Sequence, residues 1–161
     1  MHARLRRLGL ASALALAPVS LAVQSQNDLV LGTWVLNLEK SSYDPGPAPR
    51  SQTRTYEAVP SGIQATIVTV DANGRSTTAG YTADYDSLEH PLTGSATVDK
   101  IALRRINTYT AEATLTHARK LIGTARRVIS EDGKTMTITY RGTENGRQVN
   151  NVAVYEKEDR S

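Results

Sequence analysis

Cysteine and phenylalanine are both absent from this 161-residue chain, which has a single Trp and two Met. Without Cys there is no disulfide framework, thiolate zinc site, thioether-linked haem, cysteine nucleophile or lipid-modified N-terminal Cys. Without Phe, an apolar interior has to be aliphatic and lined by Tyr, of which there are seven. A basic excess is also missing from most of the chain. The formal charge is +3, but Arg4, Arg6 and Arg7 stand in the first 22 residues with no acid beside them. Outside that stretch sixteen basic residues face sixteen acidic ones. A nucleic-acid-binding module keeps a positive balance, so nucleic acid is not expected as a partner.

Those first residues have their own pattern. His2-Ala3-Arg4-Leu5-Arg6-Arg7 is positive, Leu8 to Leu16 is apolar, Pro18 interrupts the run, and Ser20-Leu21-Ala22 offers small residues for cleavage before Val23. This is the form of a secretory signal peptide over residues 1–22, with the domain in 23–161. The apolar run falls short of the roughly 20 residues needed to span a bilayer. No later segment is apolar enough to cross, so a soluble periplasmic or secreted protein is expected. Arg6-Arg7 is a weak sign of the twin-arginine export route.

Beyond residue 22 no stretch has helical periodicity. Segments rich in Val, Ile, Thr and Tyr recur between turn residues, the pattern of an all-β chain. Strands are expected near 33–38, 51–59, 63–70, 75–85, 98–106, 109–116, 120–130, 134–141 and 147–156, with a short one at 90–93. Asp71-Ala72-Asn73-Gly74, Glu131-Asp132-Gly133 and Glu144-Asn145-Gly146 each place Gly after Asn or Asp, where positive φ is cheap. Connections this short make neighbours antiparallel, giving a meander. Closing eight to ten such strands into an up-and-down barrel removes exposed edges, and a sandwich is the competing architecture. Trp34, Leu36 and Leu38 share one face, as do Met136, Ile138 and Tyr140. Tyr43 to Pro49 contains three Pro in five residues, a stiff connector at one barrel end or a lid across its mouth.

The opening strand Leu31-Gly32-Thr33-Trp34-Val35-Leu36 resembles the Gly-x-Trp strand of lipocalins and intracellular fatty-acid-binding proteins, the calycin barrels. The last strand, Asn151 to Lys157, is similar to the closing strand of the fatty-acid-binding group. That group ends in Arg-x-Tyr, with both side chains holding a carboxylate inside the barrel. Tyr155 matches the Tyr, while Ala153 stands where the Arg would be. The helical portal of that group has no counterpart. Gly32-Thr33-Trp34, the Pro-Gly-Pro-x-Pro connector and the segment from Arg126 to Thr135 resemble small exported bacterial lipocalin-like domains over nearly the whole chain. The resemblance implies an antiparallel calycin barrel that binds a small apolar or amphipathic molecule without cofactor or metal. It also implies a late-strand Arg packed over the opening Trp, a role open to Arg127.

The candidate ligand-binding residues are Trp34, Arg105, Arg127, Tyr140 and Tyr155. Arg105 shares a face with Ile101 and Leu103, and Arg127 one with Leu121, Ala125 and Ile129. A guanidinium on an inward face needs an anionic partner or ligand, because an unpaired buried charge is prohibitive. A one-residue slip in register would put both in water. His90 and His117 have no metal-ligand pattern around them and read as surface turn residues, although His90 with Asp84 or Asp86 could form an acid–base pair. No Gly-x-Ser-x-Gly elbow or phosphate-binding Gly-rich loop is present. Catalytic residues are therefore not identified. A cofactor-free isomerase or cyclase, for which His90 is the one candidate group, and a solid-cored interaction domain stand as alternatives to a binder.

Overall fold

The computed structural model describes residues 28–159, so the export segment expected at 1–22 lies outside them. Ten strands follow one another: β1 (Gly32–Asp44), β2 (Ser51–Val59), β3 (Gly62–Val70), β4 (Ser76–Ala83), β5 (Asp86–Thr93), β6 (Lys100–Arg105), β7 (Thr110–His117), β8 (Lys120–Ile129), β9 (Thr135–Glu144) and β10 (Arg147–Lys157). Each pairs antiparallel with its chain neighbours, and β10 returns to β1 through pairs such as Leu36–Tyr155. The meander is therefore a closed barrel rather than a sandwich. Closure leaves no free sheet edge. Among the described residues no helix is long and apolar enough to cross a membrane.

Local chemistry explains where the strands depart from the sequence reading. β1 continues to Asp44, into what reads as the Pro-rich connector, because its ladder with β10 shifts register between Asn37 and Ser42. Side chains fill the irregularity: Lys40 N donates to Asn37 Oδ1, Ser41 Oγ donates to Asn37 O, and Val154 N donates to Ser41 Oγ. The shift breaks the alternation. Trp34 and Leu36 stay inside, whereas Leu38 is 42% exposed. A second shift beside Leu115 and Thr116 turns Leu121 outward, while Ala125, Arg127 and Ile129 keep the inward side. The stretch at 90–93 belongs to a full strand.

The two barrel ends differ. At one, residues 28–31 fold across the opening and put Val30, fully buried, beneath Trp34. The indole Nε1 donates to Val30 O at 2.7 Å. Lys157 Nζ donates to Leu29 O and lies 5.0 Å from the centre of the Trp34 ring. The late-strand cation over the opening Trp is thus Lys157, and Arg127 takes a different position. The other end carries the loops β1–β2, β3–β4, β5–β6, β7–β8 and β9–β10.

The hairpin between His117 and Lys120 has only two central residues, Ala118 (φ 48°) and Arg119 (φ 65°), both left-handed. Neither suits that region, which Asn-Gly fills in such turns. The double change Ala118→Asn with Arg119→Gly is expected to stabilise the barrel by about 1 kcal/mol. A higher thermal midpoint checks it, and an unchanged or lower one contradicts it.

Candidate functional site

Inward side chains leave the barrel hollow, with a cavity of about 480 Å³. That lies within the usual range of small-molecule sites, roughly 300–1,000 Å³, so the solid-cored alternative does not hold. The wall is mainly Ala, Ile, Leu and Tyr. Small residues, among them Ala79, Ala111, Ala113, Ala125 and Ala153, create the space. The mouth is bordered by Gly94, Ser95, Ala96 and Val98 of the β5–β6 loop. Residues 45–50 do not line the cavity, which leaves the Pro-rich stretch as a connector. Its end is tied sideways, with Arg50 Nε donating to Ala72 O.

β2 supplies the principal polar group. Gln52, Arg54 and Tyr56 alternate along one face of that strand and all line the cavity. Arg54 Nε is shared between Gln52 Oε1 at 2.9 Å and the Tyr155 hydroxyl at 3.0 Å, and Nη1 is 3.5 Å from the Tyr56 hydroxyl. Tyr155 in turn donates to Gln52 Oε1, and the guanidinium lies 5.3 Å from its ring centre. Among the described residues no carboxylate reaches within 4 Å of Arg54, and Nη2 has no acceptor. Burial opposes its charge, but the Tyr155 and Tyr56 oxygens more than offset this and keep it ionised. Ala153, two residues before Tyr155 on β10, lines the same cavity as Arg54.

A second polar group lies deeper. Arg127 Nη2 donates to the Tyr85 hydroxyl, which donates to Asp28 Oδ2 at 2.6 Å. Asp28 also accepts from Val30 N and is ion-paired with Arg105, whose guanidinium lies 3.9 Å from the Tyr85 ring centre. Burial alone would push the Asp28 carboxyl up. The Tyr85 hydrogen bond, the Val30 amide and the charges of Arg127 and Arg105 outweigh it and hold the group below the usual carboxylate range. Burial, the dominant influence, pushes Tyr85 up to about 12.

The sequence-identified residues therefore divide. Arg127, Tyr140 and Tyr155 line the cavity; Trp34 and Arg105 do not, being committed to the closed end. Tyr140 lies against Gly123 and Gly142, which are paired across β8 and β9. A Cβ on Gly142 would stand 2.3 Å from its hydroxyl, so both glycines form a trough for the ring. His90 is a strand residue that pairs with Asp86 at 3.0 Å and does not line the cavity, which removes it as an interior acid or base. His117 is at the β7–β8 hairpin, 3.8 Å from Asp99. No group of three or more His, Asp or Glu able to hold a metal occurs among the described residues.

Sequence reasoning missed Gln52, Arg54 and the β5–β6 loop. For Arg54 a signal existed: it stands two residues from Tyr56 on a strand whose bounds are legible. No protein-family model and no curated protein matches the chain.

Proposed function

We propose that this chain is an exported, calycin-like barrel that binds one amphipathic molecule inside, with an anionic group of the ligand held by Arg54, Tyr155 and Gln52. The observation that carries this is the Arg54 guanidinium, open to a cavity of about 480 Å³ without a carboxylate partner. A half-buried cation without a carboxylate partner is stabilised by an anion delivered from outside. The apolar wall suits a hydrocarbon body, and Arg-plus-Tyr is the group pairing that the fatty-acid-binding barrels use. The N-terminal pattern of residues 1–22 supports export to the periplasm or the medium.

Calorimetric titration with decanoate and with its uncharged counterpart decanol tests the proposal. One equivalent of decanoate should bind, and decanol at least about tenfold more weakly, since hydrogen bonds to a charged group contribute roughly 1.5–3 kcal/mol. Arg54→Met should weaken decanoate by about ten- to a hundredfold and leave decanol unchanged. The same variant should unfold at an equal or higher temperature, because it replaces a half-buried cation that has no carboxylate partner with an apolar side chain of similar length. Equal binding of acid and alcohol, or undiminished decanoate binding by Arg54→Met, overturns the assignment.

A further inference from the structure

The Tyr56 hydroxyl lies between the two cations of the cavity. Arg54 Nη1 is 3.5 Å from it, and the Arg127 guanidinium is 5.7 Å from the ring centre. Tyr56 is 2% exposed and reaches solvent only through the cavity. The charged and titratable groups around it are Arg54 on β2, Arg127 on β8, Tyr81 on β4, Tyr85 in the β4–β5 turn and Tyr155 on β10. Asp28 is the carboxylate of this neighbourhood, and it is already engaged by Arg105 and Tyr85. Two guanidiniums, Arg54 half-buried and Arg127 buried, thus face one phenol. The carboxylate near them, Asp28, is shared by Arg127 with Arg105 and is reached from Arg127 through Tyr85. An unpaired charge in such a place is disfavoured. Two arrangements restore the balance: an anion from outside, or loss of the proton from the phenol between the cations.

We propose that Tyr56 supplies the balancing negative charge while the barrel is empty and takes up a proton when an anionic ligand enters. The proton comes from solvent, and no covalent bond of the ligand changes. The inference rests on the anion-binding role of Arg54. Burial opposes ionisation of Tyr56, yet the charges and hydrogen bonds of Arg54 and Arg127 prevail and lower it from the ordinary value of 10.0. Tyr81, buried on the same wall and paired through Ala65 on β3, is displaced the opposite way by that burial. Both tyrosines feel Arg54 and Arg127, but only Tyr56 is hydrogen-bonded by them, and the charge of Tyr56 adds to burial in raising Tyr81.

Linkage gives the sign. Where the empty barrel holds tyrosinate and the loaded barrel holds phenol, binding consumes a proton, so decanoate affinity falls about tenfold per unit rise in pH. At lower pH, where both forms are protonated, affinity is flat.

The test has two arms on the full barrel. The first follows tyrosinate absorbance against pH without ligand, in wild type, Tyr56→Phe and Tyr81→Phe. One tyrosinate should form well before the others in wild type and Tyr81→Phe, and be absent in Tyr56→Phe. Should Tyr56→Phe fail to fold, the Cζ resonances of carbon-labelled tyrosine in wild type and Tyr81→Phe give the same count. The second arm titrates decanoate calorimetrically in buffers of different ionisation enthalpy. One proton should be taken up per decanoate, and the early tyrosinate signal should vanish. Decanoate binding without an early tyrosinate, or without proton uptake, overturns the inference alone. An early tyrosinate with no decanoate binding overturns the anion-binding role, and the coupling falls with it.

Discussion

Asp28→Asn is expected to destabilise the barrel by about 3 kcal/mol, among the largest effects of any single polar replacement in this chain. The Asp28 side chain is 1% exposed and accepts from Val30 N, the Tyr85 hydroxyl and Arg105. An amide there would keep one acceptor and turn its NH2 toward the donors of Arg105 and Tyr85. Breaking a buried pair from one side costs about 3–5 kcal/mol; the lower end applies because the Arg105 side chain is 35% exposed and partly solvated. Denaturant unfolding of wild type and variant measures it, and a loss under about 1 kcal/mol contradicts the role given to Asp28. The same group sets an acid limit. Its folded pKa lies below the ordinary 3.8. Its contribution is therefore complete above that value and lost as pH falls through the folded pKa. Wild-type stability should drop steeply there, and the variant's should drop less.

Trp34→Ala is expected to cost about 3–5 kcal/mol. The indole is fully buried, joins the folded-over segment at Val30 to the inner ends of β1 and β10, and gives Val30 O its hydrogen bond. Removing it would leave a void that residues 28–31 cannot fill and would orphan a buried carbonyl. Trp34→Phe should recover most of the packing and lose only the hydrogen bond, about 1 kcal/mol. A Trp34→Ala barrel that unfolds at the wild-type denaturant midpoint would show that the closed end contributes little.

The barrel was legible because turn chemistry and alternation agree. Asn145-Gly146 has both residues at positive φ, as a two-residue hairpin needs, and Met136, Ile138 and Tyr140 face the interior as their alternation implies. What was illegible depended on partners distant in sequence. Leu38 and Leu121 lie beside register shifts, where counting by two fails. Arg105 shares a face with Ile101 and Leu103, but its strand ends at the closed end, where Asp28 takes it. Nothing near residue 28 announces that it will reach residue 105. Arg54 could have been placed on the inward face with Tyr56, two residues on, but its partner Tyr155 lies 101 residues away and is reached only through closure of β1 between β2 and β10.

Native mass spectrometry of the full barrel, purified from the cells that make it and followed by organic extraction, tests most directly whether the interior holds an anionic amphiphile. The expected result is a stoichiometric acidic adduct in wild type that is lost from Arg54→Met. A clean mass with no adduct in either protein, or an adduct that Arg54→Met retains undiminished, would contradict it.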